Sequence, residues 1–312
     1  MNLRAKPGKV IKQVDFLDIS AYLETQRATV DTHLDKFLPP EDEYPEVIHR
    51  AMRYSVFAGG KRVRPILALA ASEAVGGDFE RTVQLACALE LIHTYSLIHD
   101  DLPAMDDDDH RRGRLTCHKV FGEGIAILAG NGLMAHAFQL LTEIPGDAGF
   151  SATKIEVLNG LCRAIGTQRG VIAGQVVDLV TEGKPFSARE LEYIHSSKTG
   201  ALIEASVYCS AVLARADDKY RRCLKTFGLK VGLAFQIVDD ILDVEGSREE
   251  LGKTPGKDTV EQKATYPALY GVEESRGTAH RLVEEAIAAI ECLGDKGGAL
   301  RELARFISIR RF

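Results

Sequence analysis

Apolar residues recur along most of this chain at intervals of three and four. Val83, Leu85, Ala86, Leu89, Ile92 and Leu97 form one such stretch, and Leu282, Val283, Ala286, Ile287, Ile290 and Leu293 another. With 3.6 residues per turn, each set falls on one side of a helix and needs a partner to cover it. The alternating β-branched runs that mark strands are nearly absent, and Asn131-Gly132 lies inside Ala/Leu-rich helical sequence rather than between two strands. Breakers stand at Pro39-Pro40, Gly59-Gly60, Gly76-Gly77, Pro145-Gly146, residues 183–185, Gly246 and Gly297-Gly298, and none is a long linker. The pattern predicts an all-α fold, a single-domain bundle of roughly ten or more helices whose site is built from inward side chains of facing helices. Residues 21–312 are assigned to that domain and residues 1–20 to an N-terminal extension of no assigned role.

Composition narrows the picture. The chain has 312 residues, 45% hydrophobic and 7% aromatic with no tryptophan, which is ample for a packed helical core. A formal net charge of −6 argues against nucleic acid as a partner, so any anionic substrate has to be held by local positive charge. The stretch from Met1 to Phe16 is basic without the apolar centre of a signal peptide, no run approaches the roughly 20 apolar residues of a membrane span, and a cytoplasmic location is expected. Six cysteines are scattered with no CxxC pair and are expected to be reduced; Cys117 and His118 alone read as packing groups rather than a metal site.

Two acidic corners carry the candidate chemistry. The second reads Asp239-Asp240-Ile241-Leu242-Asp243. Residues four apart share a helix face with Cβ atoms about 6 Å apart, so Asp239 and Asp243 repel one another unless a cation lies between them. Carboxylates so spaced suit magnesium, which binds one or two of them together with waters and substrate phosphates. The first corner runs from Asp100-Asp101 through Leu102-Pro103-Ala104-Met105 to Asp106 and on to Asp109. In an unbroken helix Asp100 and Asp106 would point about 120° apart. Pro103 removes a hydrogen bond and distorts the turn, so the inserted Pro-Ala can bring Asp106 back toward Asp100. An acidic run alone is most often a solvated loop. Here Leu97-Ile98 and Ile237-Val238 lead straight into the carboxylates, placing both clusters at the ends of buried helices, where they can clamp magnesium on one diphosphate.

Lys61, Arg62 and Arg64 follow Gly59-Gly60 and precede Pro65. A glycine cap and a proline start explain the flanks but not three bases in four residues, whereas guanidinium forks at a helix start fit a diphosphate.

The ordered run from His93 to Gly113, with Phe235-Gln-Ile-Val-Asp-Asp-Ile-Leu-Asp243, resembles the short-chain trans-prenyltransferases, the isoprenyl diphosphate synthases, and most of all their bacterial farnesyl type. The resemblance runs from about residue 50 to the end. It implies a bundle around a central cavity, and joining of isopentenyl diphosphate to dimethylallyl or geranyl diphosphate. It implies Mg2+, about three ions once the allylic diphosphate is bound, with Asp100, Asp101, Asp106, Asp239 and Asp243 as ligands. Lys61, Arg64, His93 and Arg112 would bind isopentenyl diphosphate, and Arg111 and Lys263 the allylic diphosphate. Lys198, Thr199, Gln236 and Lys253 would act in catalysis, the threonine and glutamine by turning oxygen dipoles on a carbocation, the lysines by neutralising the leaving diphosphate. Gln175 and Asp178 would support metal and lysine. Tyr95 and Ser96 would limit chain length, the aromatic ring and the Pro-Ala insertion resembling the type that stops at fifteen carbons. The chain departs from the pattern at Val238, where many relatives carry glutamine, and at Ser247-Arg248, where an aspartate is frequent.

Three alternatives stand beside this one. Geranyl or geranylgeranyl diphosphate synthesis differs only in product length. A terpene cyclase would share the bundle but normally mixes Asn/Asp, Ser/Thr and Glu in its second metal motif. A non-catalytic prenyltransferase subunit usually loses acidic-corner residues. Apolar helix stripes favour a homodimer.

Overall fold

The structure, a computed structural model, describes residues 18–245 and 263–309. Lys253, expected to be catalytic, and the Ser247-Arg248 departure lie outside the described residues. The first helix, α1 (Ile19–Phe37), starts where the Asp18 carboxylate accepts the backbone N–H groups of Ser20 and Ala21, two residues before the expected domain boundary. There follow α2 (Glu46–Val56), α3 (Val63–Val75), α4 (Phe79–Asp100), α5 (Cys117–Phe121), α6 (Glu123–Glu143), α7 (Ser151–Ile165), α8 (Val171–Thr181) and α9 (Ala188–Ile194). A π-helical turn, His195–Gly200, leads into α10 (Ala201–Leu213), and then come α11 (Asp218–Glu245), α12 (Tyr266–Tyr270), α13 (Val272–Ala289), a 3₁₀ segment Glu291–Gly297 and α14 (Gly298–Ile309). The fold is all-α, and the expected breakers separate helices: Pro39-Pro40 follows α1, Gly59-Gly60 divides α2 from α3, and Gly76 closes α3 with φ of 77°.

Two elements differ from expectation. A two-residue β-hairpin pairs His110–Arg111 (β1) with Arg114–Leu115 (β2), turning through Arg112 and Gly113, which both adopt positive φ. In addition, α6 is long and apolar enough to cross a membrane by length and composition, although no such run was expected. Its Gly, Ala and Asn content hid that, and its Ala126, Ala129, Leu133, Ala137 and Leu140 are buried in the protein interior.

The helices enclose two apolar cores. One gathers residues of α1, α2, α4, α6, α7 and α10, the other residues of α3, α10, α11, α13 and α14. Helix α10 serves both: Leu202, Ala205, Cys209 and Val212 face the first, Ile203, Val207 and Ala211 the second. Each fully buried leucine or isoleucine contributes roughly 1.5–3 kcal/mol. This arrangement places the end of α4 in one core and the end of α11 in the other, with the π turn at the head of α10 between them.

Candidate active site

Helix α4 ends at Asp100, and the chain doubles back over the following six residues. The Asp106 N–H donates to the Asp100 carbonyl oxygen at 2.8 Å, and the Asp108 N–H to that of Asp101 at 3.2 Å. Pro103 thus sits in a turn whose backbone closes Asp106 onto Asp100. Burial pushes the Asp100 carboxyl up to about 6, with Lys198 and Arg111 pulling it down and Asp106 and Asp101 adding to the rise. Asp101, 3% exposed, accepts a two-pronged bond from Arg111, whose Nε lies 2.7 and 3.0 Å from its two oxygens. Burial raises the Asp101 carboxyl, and Arg111 offsets part of that.

At the second corner α11 does not stop at the aspartate pair but runs about one and a half turns on, through Asp243 to Glu245. Asp239 and Asp243 therefore keep the regular i, i+4 relation, Asp243 almost wholly buried at 1% exposure. Asp240 points elsewhere. It accepts the Gln236 Nε2–H at 3.0 Å and the Tyr266 backbone N–H at 2.9 Å, and lies 3.2 Å from His195 Nε2.

Two short segments join the corners. In the π turn, Lys198 Nζ donates to Asp178 Oδ2 at 2.6 Å, and the Thr199 hydroxyl donates to Gln236 Oε1 at 2.6 Å. Burial works against the Lys198 ammonium, but the charges of Asp178, Asp100 and Asp106 outweigh it and hold its pKa above the usual value. Lys198 thus serves the first corner and its neighbour Thr199 the second. Likewise Lys263 Nζ meets Asp106 Oδ1 at 3.0 Å while Tyr266, three residues on, donates to Asp240. The π turn can lie between α8 and α11 because Gly174 and Gly232 face it: a Cβ on Gly174 would collide with the Lys198 backbone, and one on Gly232 would stand 2.8 Å from Gly200 Cα. Extra-residue π turns of this kind recur at functional sites. Gln175 is buried beside this assembly at 6% exposure, and its side-chain amide makes no hydrogen bond among the described residues.

The basic groups divide. Arg62, which the resemblance does not assign to a substrate, turns inward: at φ of 52° it sends Nη1 to Glu90 (2.7 Å), Nε to Asp31 (2.8 Å) and Nη2 to the Val56 carbonyl (2.8 Å). Lys61 is exposed and Arg64 is 9% exposed. Burial, and then the charges of Arg64, Arg112, Arg111 and Arg62 in that order, hold His93 well below its usual pKa. Arg64, His93 and Arg112 therefore share one positively charged neighbourhood with Arg111 and Arg62. Arg112 reaches across from the hairpin to donate to the Gly59 carbonyl.

Beneath the first corner, Tyr95 is 6% exposed and its ring meets His99 edge-on at 5.7 Å. Burial and the Asp100 charge push its hydroxyl up to about 12. The Ser96 hydroxyl donates back to the His93 carbonyl at 2.8 Å, a local bond within α4.

Residues not singled out from sequence also surface. His195 stacks on Tyr266 at 5.3 Å and flanks Asp240. Asp107, Asp109 and His118 bring ligand-type atoms within 4.8 Å of one another. Asp109 is already engaged there by Lys119 Nζ at 2.7 Å, so this group is the weaker cation holder.

A family model described as polyprenyl synthetase matches residues 45–302. The chain is 43% identical to the farnesyl diphosphate synthase of Geobacillus stearothermophilus, over 94% of this chain and 98% of that one. It is 46% identical to the chloroplastic large subunit 1 of a heterodimeric geranylgeranyl pyrophosphate synthase from Arabidopsis thaliana, over 94% and 82% of the two chains. Among solved structures it is similar to an FPP/GFPP synthase from Zymomonas mobilis, with a TM-score of 0.84 and 35% identity across 93% of this chain and 99% of that one.

Proposed function

Because this chain belongs to the polyprenyl synthetase family and is a short-chain prenyltransferase, we propose that it condenses isopentenyl diphosphate with dimethylallyl and then geranyl diphosphate, stopping at farnesyl diphosphate. The observation that supports this reading is the pair Lys198-Thr199, of which Lys198 feels the charges of Asp100 and Asp106 at the first corner and Thr199 is tied through Gln236 to Asp240 at the second, beside a separate basic surface for a second diphosphate.

The carboxylates fit magnesium. Burial, with the Asp106 and Asp101 charges beside it, disfavours ionisation of Asp100 even though Lys198 and Arg111 offset part of this, so a further cation at this corner would favour the charged form. Asp100, Asp106, Asp239 and Asp243 would hold the ions, with Asp101 kept in place by Arg111. A magnesium ion held by these residues would supply positive charge that favours the negative charge developing on the allylic diphosphate.

The chain's own groups do the rest. Lys198, held protonated by three carboxylates, and Lys263 and Arg111 neutralise the departing diphosphate. The Thr199 hydroxyl is fixed by its bond to Gln236, and Gln236 by its bond to Asp240, so their oxygen dipoles are preorganised for an electron-poor carbon. His93, kept neutral by burial and then by its guanidinium neighbours, offers a ring N–H to isopentenyl diphosphate while Lys61, Arg64 and Arg112 supply charge. Attack by the isopentenyl double bond makes the new C–C bond, and the proton lost passes to the departing diphosphate.

Product length rests on Tyr95. Its buried ring under Asp100 closes the path that a chain longer than fifteen carbons would take. Tyr95→Ala is expected to shift the main product from fifteen to twenty or more carbons in a chromatographic product assay; an unchanged profile would place the floor elsewhere. We further propose a homodimer, supported by Ile127 and Leu128 of α6 and Ile155 of α7, which remain 43%, 55% and 66% exposed.

A further inference from the structure

We propose that Cys223 and Cys292 form an oxidisable thiol pair, which a low-molecular-weight disulfide converts into an intramolecular cross-link between the start of α11 and the turn that follows α13. The two sulfur atoms lie 2.7 Å apart, near the roughly 2.0 Å of a bonded pair. They come from residues 69 positions apart, brought together because α11 and α13 pack along one another and the 3₁₀ segment folds back over the start of α11. Both are partly exposed, whereas Cys87, Cys117 and Cys209 are buried; Cys162, exposed on α7, is the other accessible thiol.

The exchange balances without further reagents. One protein thiolate attacks the small disulfide, forming a mixed disulfide and releasing one small thiol; the second protein thiolate then displaces the other. Two protein S–H groups are oxidised, one small disulfide is reduced to two thiols, and both protons end on the released thiols. Burial and the adjacent Cys223 sulfur push the Cys292 thiol up to about 11, with Lys219 pulling it down, so at neutral pH Cys292 rests as a thiol until an oxidant arrives.

The cross-link would enclose the second acidic corner, Lys253, Lys263 and Tyr266 in one covalent loop. Cys223 lies sixteen residues before Asp239 on the same helix, about 24 Å away, so closure leaves the carboxylates untouched. Oxidation therefore stabilises this half of the site against unfolding without changing turnover.

The test uses the full chain carrying Cys162→Ser, incubated with glutathione disulfide or with dithiothreitol. Oxidation is expected to remove two alkylatable thiols, lower the mass of the monomer by about 2 Da, link the peptides holding Cys223 and Cys292, and raise the melting temperature by roughly 5–10 °C. Dithiothreitol should reverse all four changes, and Cys223→Ser or Cys292→Ser should each abolish them. An unchanged thiol count, a link that maps to other cysteines, or a link that leaves the melting temperature unmoved would overturn the proposal.

Discussion

Asp100→Asn is expected to lower turnover by at least about 10³-fold while raising the melting temperature of the metal-free protein. The loss follows from removing a carboxylate proposed to hold magnesium against the leaving diphosphate. The gain in stability follows from the direction of its shift. Burial lifts the Asp100 carboxyl from the ordinary 3.8 to about 6, so above that range the folded protein keeps a charge that the unfolded chain carries more comfortably. The sign is that of a raised acid: its folded form is favoured at low pH, and that advantage is lost as pH rises between those two values. At neutral pH the neutral asparagine relieves a penalty on the order of 1–3 kcal/mol, which melting curves in chelator would read as a rise of a few degrees. Magnesium with a diphosphate should raise the melting temperature of the parent protein and do far less for the variant. A variant that turns over normally, or melts lower than the parent in chelator, would contradict the assignment.

Lys198→Ala is expected to damage both fold and function. It leaves Asp178 with a nearly buried charge and strips positive charge from Asp100 and Asp106. Truncating one partner of such a pair costs about 3–5 kcal/mol when fully buried; with the Lys198 side chain 24% exposed, about 2–3 kcal/mol is the expected loss in a denaturant titration. Turnover should fall about 10²–10³-fold because the departing diphosphate loses its fixed ammonium. Adding Asp178→Asn should restore most of the stability and none of the turnover. Recovery of both together would mean that Lys198 acts only through packing.

How much of this was legible beforehand depended on how local the cause was. The turn at Pro103 could be read from one proline between two aspartates, because the Asp106-to-Asp100 backbone bond spans only six residues. The spacing of Asp239 and Asp243 was legible for the same reason, though not that α11 runs on to Glu245. The hairpin was missed because Arg112-Gly113 lacks the Asn or Asp that usually announces two positive-φ residues, and strands of two residues show no alternation. Among three adjacent bases, nothing in the sequence told that Arg62 would turn inward, since Glu90 and Asp31, the groups that draw it in, are 28 and 31 residues away. His195 and Tyr266 escaped notice similarly, because their roles at Asp240 depend on packing of the π turn and α12 against α11. What separates the legible from the hidden is sequence distance: patterns within a turn or two reveal the acidic corners, and only the fold reveals what braces them.

The most direct test supplies the purified chain alone with isopentenyl diphosphate and either dimethylallyl or geranyl diphosphate, with magnesium or with chelator, and measures product length. A fifteen-carbon product that forms from either allylic substrate with magnesium, and disappears in chelator, is the expected result. Product in the absence of metal, or no turnover by the chain on its own, would contradict the account.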